Sequence, residues 1–145
     1  MKAILLSCLL LACQAQASEN ELRCLTEALY HEARGEPNTG IFWVGYIIIN
    51  RVQDARWPDT ICGVTHQPGQ FSYYHDGKSD RMPYLSRYPE VVQIAKIVYH
   101  SRGYDHSHFG YYYKRTDVKH PFFRKLKPLY IIGRHEFYQD RESRI

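Results

Sequence analysis

Between Pro37 and Pro58 the chain reads "NTGIFWVGYIIINRVQDARW", and this stretch limits the fold more than any other. Its isoleucine-rich centre has the propensity of a strand. It runs for about 15 residues without a turn signal, however, which is too long for a typical strand. The stretch therefore predicts a helix, and a helix apolar nearly all round belongs at the centre of a core.

The flanking segments read as its cover. Glu19 to Arg34 contains no glycine or proline and is rich in helix formers, so a first helix is expected there. Gly35 ends it and Pro37 blocks its continuation. "YPEVVQIAKIVYHSRG" predicts a third helix, with Pro89 in its first turn, Gly103 past its end, and Val91, Ala95 and Val98 on one face. "RWPDTICGV" and "HQPGQFSYYHDGKSDRMP" have the density of turn residues expected of an irregular lobe with one short helical turn. "GYYYK", "PLYII" and "RHEFY" are short aromatic and β-branched runs that predict a small C-terminal sheet. The fold class is α+β, mainly helical.

The N-terminus opens with Lys2, an apolar stretch from Ala3 to Ala12, and a small-x-small site at Ala15-Gln16-Ala17. That pattern is a secretory signal peptide, with an apolar region too short to span a bilayer. Cleavage after Ala17 removes 17 of 145 residues and leaves 128, one domain spanning 18–145. "LLAC" at Leu10–Cys13 also loosely resembles a lipoprotein signal, with Leu11 a poor fit, so anchoring at Cys13 is a minor alternative. Periplasmic or extracellular placement follows. Only Lys2 is lost among charged residues, taking the net charge from +4 to +3. That excess is too weak to argue for nucleic acid but suits an anionic envelope polymer. The mature chain keeps two cysteines, Cys24 and Cys62, most simply a disulfide in an exported protein. No metal and no cofactor are expected, and no other stretch is apolar enough to cross a membrane.

The candidate chemistry lies at the end of the first helix, where Glu27, Glu32 and Glu36 crowd together. At 100° per residue, Leu25, Ala28 and Leu29 share one side, and Glu32 falls on that apolar stripe. Glu27 falls on the opposite side, with Arg23 as an i−4 partner. Glu36, beyond Gly35, reads as a stabiliser of the second helix's start. A carboxylate on an apolar stripe is costly unless partnered or used. Glu32 is then either a structural acid, paired with Arg34 or Arg51 or with backbone donors, or a general acid on a cleft floor, its pKa raised by desolvation.

"CLTEALYHEARGEPNTG", "NRV" at Asn50–Val52, "WPDTICGV", "GQFSYYHDG" and "IGRHEFY" together resemble the SleB-type cell-wall hydrolases, which include the spore cortex-lytic enzymes. The resemblance runs from Cys24 to Tyr138. It implies a lysozyme-like, lytic-transglycosylase-like domain that cleaves the MurNAc–GlcNAc β-1,4 bond of peptidoglycan glycan strands, with Glu32 as the catalytic acid. A glycan strand also needs a groove with flat apolar faces and hydrogen-bonding groups, which Gln70, Phe71, Ser72 and Tyr73 supply on a loop, with Tyr113 and His135 for the other wall. The resemblance favours substrate contact for Gln70 and Tyr113, and core packing is the alternative for Phe71. Two departures stand out: Tyr111 and Tyr112 replace an expected Thr-His pair, and Phe122 and Phe123 stand where tryptophan is expected.

Glycoside cleavage commonly uses two carboxylates. The candidates Asp54, Asp59, Asp76 and Asp80 all read as turn or capping residues. A route with Glu32 alone, forming 1,6-anhydro-muramyl ends, is the more economical, with hydrolysis the alternative. Two further alternatives are a non-catalytic wall-binding protein and a zinc peptidase or amidase. The latter suffers because His31-Glu32 lacks a histidine at position 35, where Gly35 stands, leaving "HSH" at His106–His108 as a metal candidate.

Overall fold

The structure is a computed structural model and describes residues 2–71 and 86–141. The central helix of the sequence reading is α2, Asn38–Gln53; Ile41, Val44, Ile47, Ile48 and Ile49 are all essentially inaccessible. Around it lie α1 (Lys2–Ala33), the short α3 (Ile61–Thr65) and α4 (Tyr88–His100). Leu25, Ala28 and Leu29 of α1 and Val91, Ala95 and Val98 of α4 are buried, as their spacing demands. Gly45 lets α2 and α4 approach closely, because a Cβ there would lie 3.0 Å from Val98 Cγ2. Residues 12–20 of α1 are exposed and add nothing to this core. Among the described residues no helix is long and apolar enough to cross a membrane.

The expected disulfide joins Cys24 of α1 to Cys62 of α3, with Cα atoms 5.2 Å apart across 38 residues of sequence. Closing a loop of that length contributes about 4 kcal/mol on the chain-entropy account. Thr60 caps α3 by accepting from Gly63 N, and Glu21 of α1 accepts from Ile61 N at 2.5 Å.

The C-terminal runs form a three-stranded antiparallel sheet in the order β1-β3-β2. β1 is Tyr112–Arg115, β2 Lys127–Ile132 and β3 His135–Gln139. Tyr113 pairs with Phe137, and Arg115 with His135. Phe137 is fully buried and packs on Trp43 of α2, so one sheet face closes the helical core.

Candidate active site

Asn50 and Arg51, the last buried polar residues of α2, fix where the sheet begins. Asn50 Nδ2 donates to the carbonyls of His106 and Gly110, both at 2.8 Å. Arg51 Nε donates to Tyr111 O at 2.8 Å and Nη1 to Gln70 Oε1 at 2.9 Å. These bonds hold the entry to β1 and bring Tyr113 over the C-terminal end of α1. There the Tyr113 hydroxyl donates to Glu32 Oε2 at 3.2 Å. Tyr113 is itself packed edge-on to His135 at 5.1 Å and against Phe137 at 6.0 Å.

Glu32 lies on the wall of a cleft of about 810 Å³. It is partly buried, and desolvation lifts its pKa above the ordinary carboxylate value while the Tyr113 bond pulls the other way. Among the described residues no cation forms an ion pair with it. Arg34 instead donates to Tyr30 O, and Arg51 is committed to Tyr111 and Gln70. Neither arginine of the structural-acid reading therefore pairs with Glu32, and among the described residues no backbone N–H is bonded to its carboxylate. His135, also on the cleft, is buried; desolvation lowers its pKa and keeps the imidazole neutral at neutral pH. Its Nδ1 has no hydrogen-bond partner among the described residues.

Glu36 also reaches the cleft, but its role differs from the expected one at the start of α2. Its buried carboxylate accepts from Arg134 N at 2.7 Å and Arg134 Nε at 3.1 Å, pinning the β2–β3 turn. The turn needs glycine at 133: φ is 58°, and a Cβ would lie 2.0 Å from Glu36 Oε2. Glu27 has its expected partner, Arg23, at 3.0 Å.

Of the proposed sugar contacts, Gln70, Tyr113 and His135 share the cleft with Glu32. Phe71 does not. Its ring is completely buried in the core, with the Arg51 guanidinium over it, and does not line the cleft. Ser72, Tyr73, Asp76 and Asp80 lie outside the described residues. Asp54 is bound to Arg56, which holds its carboxyl below the usual range, and neither Asp54 nor Asp59 lines the cleft. Glu32 and Glu36 are the carboxylates on the cleft among the described residues. The same residues contain no cluster of three metal-ligating side chains. His106 of the "HSH" run is buried, with Nε2 2.8 Å from Ser101 O.

The departures fall at the site. Tyr111 stacks flat on Trp57 at 5.6 Å, while Tyr112, Phe122 and Phe123 line the cleft with Trp57. Tyr112 is fixed by its hydroxyl to Asp140 at 3.2 Å, and Asp140 is in turn paired with Arg56 at 2.8 Å. Trp57 was not singled out from the sequence, although it is an aromatic residue directly before Pro58 in a segment rich in turn residues.

The family model described as Cell Wall Hydrolase matches residues 35–138. The spore cortex-lytic enzyme of Oceanobacillus iheyensis is 31% identical over 121 residues, covering 83% of this chain and 42% of that enzyme. The enzyme of the same description from Bacillus subtilis is 30% identical, covering 83% and 38%. The chain thus spans about two-fifths of the length of the curated relatives it matches. Among solved structures, the catalytic domain of the germination-specific lytic transglycosylase SleB from Bacillus anthracis matches with TM-score 0.66 at 28% identity, covering 83% of this chain and 94% of that one. The Bacillus cereus SleB catalytic domain gives 0.65. The mainly helical, lysozyme-like expectation agrees with this match. Glu32 lies three residues ahead of the segment matched by the family model, so its role rests on the geometry of the cleft. On a match that spans more than half of its length, the chain belongs to the cell wall hydrolase family.

Proposed function

We propose that this protein is a peptidoglycan glycosidase that cleaves the MurNAc–GlcNAc β-1,4 bond with Glu32 as its single catalytic carboxyl. The observation that carries the reading is the setting of Glu32: partly desolvated on a cleft wall, bonded to a phenol and unpaired with any cation among the described residues. Such a carboxyl retains its proton to higher pH than a solvated one, which a general acid requires.

Glu32 gives its proton to the glycosidic oxygen as the C1–O bond of MurNAc breaks and positive charge develops at C1. The resulting carboxylate, steadied by the Tyr113 hydroxyl, then takes the proton of the muramyl 6-hydroxyl as O6 bonds to C1. The product is a 1,6-anhydro-muramyl end, and Glu32 is again protonated. Two features favour this route over hydrolysis with a second acid. Glu36 is locked onto Arg134, and the aspartates within the described residues lie off the cleft. Gln70 and His135 offer polar contacts to the sugars, and Trp57, Tyr112 and Phe122 offer flat faces.

Residues 1–17 act in this reading as a leader removed on export, leaving one catalytic domain over 18–145 that works in the periplasm or outside the cell. The exposure of residues 12–17 and the disulfide support it.

The test is digestion of purified sacculi by the wild type and Glu32→Gln, with soluble muropeptides identified by mass. The wild type releases anhydro-ended fragments, and the variant loses activity by about 10²–10⁴-fold. Equal release by both proteins refutes the assignment; reducing ends in place of anhydro ends refute the one-carboxyl route.

A further inference from the structure

A second cavity, of about 640 Å³, opens off the cleft and shares Lys114, Val118, His120 and Phe123 with it. It lies over the outer face of the sheet, where Leu126 and Tyr138 give it an apolar floor. Its rim is basic. Lys114 is already neutralised by Glu136 across the β1–β3 pair. Lys119, Arg124 and Arg141 remain, and among the described residues none of the three has an ion-pair partner. The side chains of Lys119 and Arg124 make no hydrogen bond there either, while Arg141 Nη2 donates to Arg124 O at 3.3 Å. Arg56 is different, because it is matched by both Asp54 and Asp140. Three cations unmatched among the described residues in one side cavity compare with a net charge of +4 for the whole chain.

We propose that this side cavity binds the carboxylates of the peptide carried by muramic acid, making the protein selective for peptide-bearing glycan. The inference rests on the glycosidase reading above. Its argument is one of chemistry and position. The sugars of the strand offer little charge, whereas the peptide hangs sideways from the lactyl group and carries free carboxylates and small methyl side chains. A pocket beside the cleft, with an apolar floor and cations at the rim, complements both features. A wall polymer of phosphodiesters would satisfy the cations but not the apolar floor.

The experiment uses soluble glycan strands in two forms, intact and stripped of peptide by an amidase. It compares the wild type with Lys119→Gln/Arg124→Gln, whose side chains support nothing else in the described fold. At low salt the wild type has a kcat/KM about tenfold higher on intact strands, the scale of two exposed ion pairs. The double variant loses that advantage and keeps its rate on stripped strands. Screening at high salt erases the wild-type preference in the same way.

Equal wild-type rates on both forms overturn the proposal, as does a variant that falls equally on both. If the wild type cleaves neither form, the glycosidase reading fails. The cavity is then judged by binding: Glu32→Gln must hold intact strands more tightly than stripped ones, and equal affinities overturn the proposal. Inhibition of the wild type by a soluble polyphosphodiester, without any preference for intact strands, overturns it in favour of the phosphate polymer.

Discussion

Tyr113→Phe removes the hydrogen bond that the Tyr113 hydroxyl gives to Glu32, the one bond to that carboxylate among the described residues. The ring keeps its packing against His135 and Phe137, and the hydroxyl 3.2 Å from Glu32 Oε2 is removed. That bond favours the carboxylate over the carboxylic acid, so its loss leaves desolvation to act alone and raises the Glu32 pKa further. Hydrogen bonds to charged groups contribute about 1.5–3 kcal/mol. This one is longer than the roughly 2.5–2.7 Å of a strong bond to a carboxylate, which places it at the lower end of that range. A contribution of about 1.4 kcal/mol corresponds to about one pH unit.

In the proposed mechanism Glu32 must enter the reaction protonated, so kcat/KM falls as pH rises through its pKa. A higher pKa keeps the acid protonated for longer. The alkaline limb of the pH–rate profile therefore moves up by about one unit in Tyr113→Phe. The assay is initial release of soluble fragments from glycan strands across the pH range, wild type beside variant, at matched ionic strength. An alkaline limb that stays in place, or moves to lower pH, refutes the reasoning. A uniform drop in rate without a shift would mean that Tyr113 serves the substrate and leaves the titration of Glu32 untouched.

Glu32→Gln should raise the melting temperature at neutral pH by a few degrees while removing activity, because the native fold binds the Glu32 proton more tightly than the unfolded chain does. With a raised native pKa the carboxyl's contribution is fully present below its unfolded value and lost as pH rises through the native one. The gap in melting temperature between variant and wild type should accordingly close near pH 4, about the unfolded carboxylate value, and calorimetry at several pH values reads it. Glu36→Ala removes the acceptor for Arg134 N and should cost about 2 kcal/mol in a urea titration, since that turn amide then lacks its partner. Reducing Cys24–Cys62 should lower stability by about 2–4 kcal/mol, measured by denaturant midpoint with and without reductant, with the cleft geometry retained in the protein that remains folded.

Local periodicity carried much of the architecture. The length of the isoleucine-rich run outweighed its strand propensity in favour of a central helix, and the 100° advance along α1 placed Glu32 on the side of Leu25 and Ala28. Distant pairings were not legible in this way. Glu36 meets Arg134 across 98 positions, and Arg51 meets Tyr111 across 60. Nothing in the local pattern around Glu36 distinguishes a hairpin anchor from a helix-end charge. Phe71 marks a second limit. An aromatic ring in a turn-rich segment has the same chemistry whether it faces sugar or core, and only packing against α2 decided the matter.

Those long-range bonds hold Glu32 ready for the proposed role. Glu32 comes from α1 and its phenol from β1, elements separated by most of the chain, so their meeting depends on how the sheet is hung on the helices. Two clamps do this. Asn50 and Arg51 grip the start of β1 through the carbonyls of His106, Gly110 and Tyr111. Glu36, one turn beyond Glu32, grips the β2–β3 turn through Arg134. The second clamp sits beside Glu32 in sequence, so the chain that supplies the acid also fixes the strand that carries His135. A loosened turn would let His135 and Tyr113 drift together, because the two rings pack on each other. The cost of losing Glu36 should therefore appear in the pH–rate profile as well as in stability, as an alkaline limb shifted in the same direction as that of Tyr113→Phe. An unshifted limb in a folded Glu36→Ala protein would show that β1 is held by the α2 clamp alone.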